Sequence, residues 1–307
     1  MNATPDAAGE LLTIRDFLRF AVSRFNEASL TYGHGTSSAL DEAAFLLLEA
    51  LKLPIDDINP WLDARLTRNE RERLADLIRR RVETRRPAPY LVGRAYIQTI
   101  PFIVDERVIV PRSFIAELLL DGTLGEDGFG LIPDAGAIGP VLDLCTGGGP
   151  LAIIAARVFP NARIDAVDLS AAALEVAREN LDLHQLAERI TLHQGDLFGP
   201  LAGRRYDLII TNPPYVAAPE VAAFPPEYAA EPRMAHLGGD DGLDLVRRIL
   251  AEAGDHLTPG GGVICEIGTG QDILEAEFDL PFVWLDTAES EGEVFWLPAA
   301  AFGRDGR

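Results

Sequence analysis

The second half of the chain constrains the fold more than any other part of it. From residue 140 the sequence runs VLDLC, LAIIAARVF, RIDAVDL, AALEVARENLDLH, ITLHQ, YDLIIT, LDLVRRILAEAGDHL and GVICEIG, so that short strand-like runs alternate with helical ones. Two more strand-like runs, FVWLDT and VFWLPA, close the chain and bring the expected strands to seven. Strands separated by helices of about 10 to 15 residues need crossover connections, which implies an α/β architecture with a mostly parallel, doubly wound sheet. Sheets of this kind bind ligands beyond the carboxyl ends of their strands, where the strand order reverses.

The first third reads differently. TIRDFLRFAVSRFNEA places Ile14, Leu18, Ala21, Val22 and Phe25 on one helical stripe. Ser38 to Asp41 and Thr67 to Glu70 have the spacing of helix caps, and each opens a helical run, the first stopped by Pro54. Arg79, Arg80, Arg81, Arg85 and Arg86 form the one strongly basic patch and read as a solvated helix face, the alternative being contact with RNA or an acidic partner. RAYIQTIPFIVDERVIVPRS changes to β-type runs around turn residues, which predicts a hairpin, and the glycine-rich stretch 121–139 reads as a loop. The expected domains are therefore helical over 10–92, a hairpin linker over 93–112 and the α/β part over 113–300.

Within the α/β part, VLDLCTGGGPLAIIAA is a strand, a glycine turn and a helix. Gly147, Gly148 and Gly149 remove side chains where a ligand must approach the backbone at a helix N-terminus. Asp168 ends the next strand 21 residues after Gly147, where a carboxylate can accept both hydroxyl hydrogens of a ribose. The same glycines with a later acid also match a nicotinamide dinucleotide fingerprint. Asp143, inside the strand before the glycines, suits the methionine end of the cationic cofactor S-adenosylmethionine and would repel a pyrophosphate. Asp196, in HQGDLF, stands where an adenine edge would arrive. The alternative reading of both is as turn or capping residues.

YDLII runs directly into TNPPYV, and two prolines cannot continue a central strand, because proline has no amide hydrogen for the ladder. A stiff corner results at Asn212-Pro213-Pro214-Tyr215. The Asn212 side-chain carbonyl and the Pro213 main-chain carbonyl can face one point and accept the two hydrogens of a planar NH2 group, with Tyr215 as a flat wall. Amide nitrogens and exocyclic amines of bases are poor nucleophiles, and prepositioned acceptors favour the positive charge that builds on nitrogen as it is methylated. No general base is required.

The segments VLDLCTGGG, AVDLS, GDLF and NPPY, in that order, resemble the Rossmann-like class I amino-methyltransferases, and more narrowly the protein-glutamine methyltransferases. YGHGTSSALDEA, FIVDERVIVPRS and EYAAEPRMAHLGGDDGLDLVRRIL are similar to the branch that acts on large-subunit ribosomal protein uL3. The likeness runs from about residue 13 to residue 297. It implies cofactor contacts by Thr146 to Pro150, Asp168, Asp196 and Leu197, substrate-amide contacts by Asn212 to Tyr215, and a secondary place for Arg112. Gly148 stands where the family commonly has serine, Pro150 where it has cysteine or another small residue, and Phe114 where a proline is expected. ESEGEVFWL lacks the usual glycine pair. Release-factor glutamine methylation, methylation of a nucleic-acid amine and a non-catalytic role in ribosome assembly are the competing functions.

The balance of 27 basic and 48 acidic residues gives a net charge of −21. A surface this negative repels nucleic-acid backbones and suits a basic protein partner, although it also serves solubility. No run is apolar enough for a membrane helix and MNATPDAAGE has no basic start, so the expectation is a soluble, cytoplasmic protein. Cys145 and Cys265 lack metal or disulfide spacing, as do His184, His193, His236 and His256. His34, between glycines in YGHGTSS, reads as structural or substrate-contacting.

Overall fold

Each of the sequence caps starts a helix. In the computed structural model, which describes residues 7–287 and 290–303, the helices are α1 (Ala7–Glu10), α2 (Ile14–Glu27), α3 (Ala39–Leu51), α4 (Arg68–Thr84) and α5 (Ala88–Val92). The opening MNATPD and the first glutamate of ESEGEVFWL lie outside the described residues. Thr13 Oγ1 accepts the Asp16 amide at 3.2 Å while the Asp16 carboxylate accepts the Thr13 amide at 2.9 Å, and Thr67 and Glu70 repeat the exchange on α4. Ser38 caps α3 in one direction only, its Oγ accepting the Asp41 amide at 3.2 Å. Each reciprocal cap satisfies donors that the first helical turn would otherwise leave unpaired.

The core of this first unit is built from Phe17, Phe25, Leu46, Leu47, Leu74 and Ile78. On α2 the buried stripe is Ile14, Phe17, Ala21 and Phe25, while Leu18 and Val22 are only partly covered. The stripe is rotated toward Phe17 because α2 packs against both α3 and α4.

The basic patch departs from the expected solvated face. Arg81 falls on the buried stripe of α4 with Leu74, Leu77 and Ile78, and is fully buried. Its Nε donates to Glu42 Oε1 at 2.6 Å and its Nη2 to the Thr31 carbonyl at 3.2 Å. Arg85 pairs with buried Glu227 at 2.6 Å, and the more exposed Arg79 and Arg86 pair with Asp76 and Glu83, and with Glu106. Arginine can enter a core when its planar fork meets a carboxylate.

The hairpin forms as β1 (Arg94–Ile97) and β2 (Ile100–Ile103), antiparallel, with Gln98 at φ 50° in the turn. It belongs to the same compact unit as the helices, Met1–Glu106, to which Phe224–Glu231 also belongs. The second unit comprises Arg107–Ala223 and Pro232–Arg307.

That second unit holds a seven-stranded sheet: β3 (Pro140–Leu144), β4 (Arg163–Asp168), β5 (Ile190–Gln194), β6 (Tyr206–Thr211), β7 (Leu257–Glu266), β8 (Val283–Trp284) and β9 (Val294–Pro298). The order is β5-β4-β3-β6-β7-β9-β8, parallel except for β9. All seven expected strands are present, the sixth reduced to two residues. Its helices are α6 (Phe114–Leu120), α7 (Pro150–Val158), α8 (Ala171–His184), α9 (Ala218–Ala222), α10 (Asp244–Ala253) and α11 (Gln271–Glu277). Periodicity anticipates α7, α8 and α10. The others span seven residues or fewer, too short to show a helical period. Residues 121–139 carry no strand, only a single 3₁₀ turn at Ala135–Ala137.

Strand order reverses between β3 and β6, and the register there sets Leu144 beside Thr211. The glycine turn and the Asn212 corner therefore leave the sheet side by side. No helix among the described residues is long and apolar enough to cross a membrane.

Candidate active site

A cleft of about 290 Å³ opens at that switch point. Cys145 and Gly147 follow β3, Asp168 ends β4 and Leu169 and Ser170 follow it, Gly195 to Leu197 follow β5, and Asn212 and Pro214 follow β6. Arg107 to Ile109, Pro232, Met234, Ala235 and Leu237 add to the wall, together with Val167, Ala173 and Leu245.

The glycine turn is tied to the acids that flank it. Gly147 donates its amide to Asp168 Oδ2 at 2.8 Å, and Ser170 donates to Oδ1 at 2.8 Å. Asp168 is thus held on the cleft wall with one lone pair of each oxygen still available, and burial raises its pKa. Asn180 of α8 donates to the Gly148 carbonyl at 2.9 Å, fixing the turn from behind. Gly149 caps α7 at φ 84°, a conformation that a side chain resists, and Pro150 takes the first helical position, where no amide hydrogen is needed.

Asp143 and Thr146 lie behind this wall. Asp143 is fully buried; its Oδ2 accepts Thr146 Oγ1 at 2.5 Å and the Ala152 amide at 3.0 Å. Its Oδ1 has no hydrogen-bond partner, and burial pushes its pKa up to about 7. An unpaired carboxylate oxygen beside an acid-lined cleft is suited to a cation and opposed to a pyrophosphate. The residues present fit S-adenosylmethionine in that respect.

Asp196 also lines the cleft, exposed, with its Oδ2 on Arg248 Nη2 at 2.8 Å. Leu197 is buried at φ 45°, and Cys145 stands at φ 58°. Two non-glycine residues held in left-handed conformations on one cleft wall mark a backbone shaped for a purpose other than stability.

At the proline corner, Asn212 Nδ2 donates to the Arg112 carbonyl at 3.2 Å, so the amide is oriented and its Oδ1 is the end left to accept. Pro213 is buried, whereas Pro214 reaches the wall. Tyr215 stands away from the cleft wall. Its ring packs on Gly268, where a Cβ would come within 2.9 Å, and its hydroxyl donates to Glu266 Oε1 at 3.0 Å. Burial and that carboxylate hold the Tyr215 pKa far above the ordinary range.

The chain beyond the corner is pinned by LGGDDG. Val216 donates to the His236 carbonyl and Gly238 to the Val216 carbonyl, both at 2.9 Å. A Cβ at Gly242, which has φ 88°, would lie 2.2 Å from the Tyr215 carbonyl oxygen.

The structure thus brings Gly147, Asp168, Asp196, Leu197, Asn212 and Pro214 onto one cleft, while Asp143, Thr146, Gly148, Gly149, Pro213 and Tyr215 adjoin its lining residues without belonging to the lining. Arg112 acts through its main-chain carbonyl, its guanidinium lying on the Val110 carbonyl at 3.3 Å. His34 belongs to the first unit, buried, with its ring 4.4 Å from that of Tyr228 and its Nε2 3.6 Å from Glu231 Oε2. Sequence reading missed the 107–109 and 232–237 walls and the Glu266 carboxylate, although an acid ending the apolar strand VICE was the available signal. Both cysteines are unpaired, and no group of three metal-ligating side chains occurs among the described residues.

A sheet of this strand order, with a glycine turn, a strand-end acid and a proline corner around its switch-point cleft, defines a Rossmann-like class I methyltransferase. Residues 131–224 match the family model of the methyltransferase small domain. The hMettl16 catalytic domain, solved in complex with MAT2A 3′UTR hairpin 1, shares the fold at a TM-score of 0.51 and 14% identity, over 85% of this chain and 92% of that one. Much nearer are the ribosomal protein uL3 glutamine methyltransferases of Bradyrhizobium diazoefficiens, 58% identical over 95% of this chain and 92% of that one, and of Burkholderia pseudomallei, 49% identical over 94% and 95%. The relative of the same name from Neisseria gonorrhoeae is 51% identical over 95% and 96%. The chain belongs to the ribosomal protein uL3 glutamine methyltransferase family.

Proposed function

We propose that the protein methylates the side-chain amide nitrogen of a glutamine in ribosomal protein uL3, using S-adenosylmethionine. The observation that carries this reading is Asn212, whose amide is oriented by the Arg112 carbonyl so that its own carbonyl is the free acceptor at an acid-lined cleft. The substrate follows from the names of relatives that match nearly the whole chain.

When bound, S-adenosylmethionine supplies a methyl group activated by its sulfonium. Asp168 accepts hydrogens from ribose hydroxyls, Leu197 and the Asp196 turn border the base, and Asp143 compensates positive charge from behind the glycine turn. Asn212 Oδ1, with the Pro213 carbonyl, accepts the two amide hydrogens, which orients the nitrogen and favours positive charge on it. The alkylated amide then gives its proton to water. Pro213 and Pro214 keep the acceptors in place without a cost of reorganisation.

The helical region 10–92 is assigned to substrate recognition, and the net charge of −21 to steering of a basic protein. The protein is placed in the cytoplasm, with its substrate. The test is transfer of labelled methyl to purified uL3, release factors and ribosomal RNA, followed by mass spectrometry. Label on a uL3 glutamine is expected; label on a release factor or RNA instead would refute the assignment. Steering predicts that kcat/KM falls with ionic strength, and a flat profile would remove that part alone.

A further inference from the structure

We propose that Glu266 is a positioning residue of the reaction: acting through Tyr215, it sets the stance of the Asn212–Tyr215 corner and hence of the acceptor for the substrate amide. The inference rests on the function proposed above.

Glu266 is the last residue of β7 and is 2% exposed. Because Thr211 pairs with Cys265 across β6 and β7, Glu266 stands level with Asn212, where the corner begins. Its two oxygens divide their work. Oε2 accepts Ser113 Oγ at 2.6 Å and the Phe114 amide at 2.9 Å, while Oε1 accepts the Tyr215 hydroxyl at 3.0 Å.

The result is a lacing of two short stretches. Asn212 is bound directly to the Arg112 carbonyl, and Tyr215 is bound through Glu266 to Ser113 and Phe114. The corner is therefore held at both ends, and only the second tie passes through a carboxylate.

That carboxylate is an expensive way to hold a loop. Ser113, Phe114 and Tyr215 offer it neutral donors, and burial raises its pKa. Stability alone would favour an apolar side chain among the neighbouring strands. A carboxylate with directed bonds to three donors instead fixes a position, and displacement of a reacting group by about 1 Å can cost on the order of a hundredfold in rate.

The test uses the full-length chain with uL3 as substrate and compares wild type, Glu266→Gln, Tyr215→Phe and the double variant. Glu266→Gln keeps the shape but sets an NH2 group against the Phe114 amide or the Tyr215 hydroxyl. Each single variant is expected to lose about ten- to a hundredfold in kcat, with KM and S-adenosylhomocysteine affinity within about threefold of wild type. The double variant should be no slower than the slower single, because both changes cut one tie. Ser113→Ala, which leaves the carboxylate in place and removes one donor, keeps the question open to measurement if Glu266→Gln melts early: a smaller loss in kcat at unchanged cofactor affinity is expected. Multiplying losses in the double variant, an unchanged kcat in a folded Glu266→Gln protein, or a loss that follows cofactor affinity would each overturn the inference. Wild type inactive on uL3 would sink the functional reading itself, whereas active wild type with multiplying variants sinks this inference alone.

Discussion

Replacing Asp143 by asparagine should change how the stability of the protein depends on pH. The carboxylate is fully buried, one oxygen is satisfied by Thr146 and Ala152, and the other has no partner. Burial moves its pKa from 3.8 to about 7. The native state therefore keeps a proton, between those values, that the unfolded chain has already released. Stability from this site is complete below the unfolded value and is lost as pH rises through the folded one. A shift of roughly 3 units corresponds to about 4 kcal/mol between the two ends of that window.

Asn at this position has no charge to bury. Its NH2 group, set where Oδ1 has no hydrogen-bond partner, costs about 1–3 kcal/mol, but that cost does not vary with pH. Urea unfolding of wild type and Asp143→Asn at intervals from about pH 4.5 to 8.5 isolates the site, because the other buried carboxylates and the overall charge repulsion cancel in the difference. The variant should gain on wild type by about 3 kcal/mol over that pH range, the first ~1 kcal/mol having been lost below pH 4.5. A difference that stays flat within about 0.5 kcal/mol would refute the buried, half-satisfied carboxylate. Titration with S-adenosylmethionine at pH 8 should show the opposite preference, a loss of affinity of about tenfold, or ~1.4 kcal/mol, because the variant has no charge to compensate the cofactor's cation.

Asn212→Ala should lower kcat by about a hundred- to a thousandfold with S-adenosylhomocysteine affinity within about twofold of wild type, read by methyl transfer and calorimetry. Gly148→Ser should be tolerated within about 0.5 kcal/mol by thermal melting. A Cβ there finds its nearest neighbours, Asn180 Nδ2 and Val176 Cγ1, at 3.5 and 3.6 Å, and Gly148 is absent from the positive-φ glycines. Gly149→Ala, at φ 84°, should by contrast lose about 1–2 kcal/mol in the same measurement. Arg81→Ala should destabilise by about 3–5 kcal/mol in urea, because it strands the buried Glu42 carboxylate. Exchanging both partners for apolar residues, Arg81→Met with Glu42→Leu, should recover most of that loss.

What the sequence by itself determined was whatever depends on neighbours along the chain. Ser38 and Thr67 announced their helices because a cap is formed within three residues, whereas α2 was legible from its apolar stripe and not from its Thr13 cap. The seven strands, the glycine turn with Asp168, and the proline corner at Asn212 were legible because strand-helix alternation and backbone restriction are local physics. The stretches that resemble the glutamine methyltransferases added the substrate class, which no local rule supplies.

Tertiary structure decided everything that depends on which distant groups meet. Arg81 read as a solvated charge until the helical packing turned it onto Glu42, 39 residues away. Tyr215 read as a flat wall at the corner, yet its hydroxyl is spent on Glu266, 51 residues on, and the cleft is lined instead by residues within 107–109 and 232–237. Asn212 offers its carbonyl to the cleft because its NH2 group is taken by a backbone oxygen 100 residues earlier. Directional bonds are short-ranged, so the partner of a buried polar group is set by the fold that brings it within about 3 Å and not by anything written beside it in the chain.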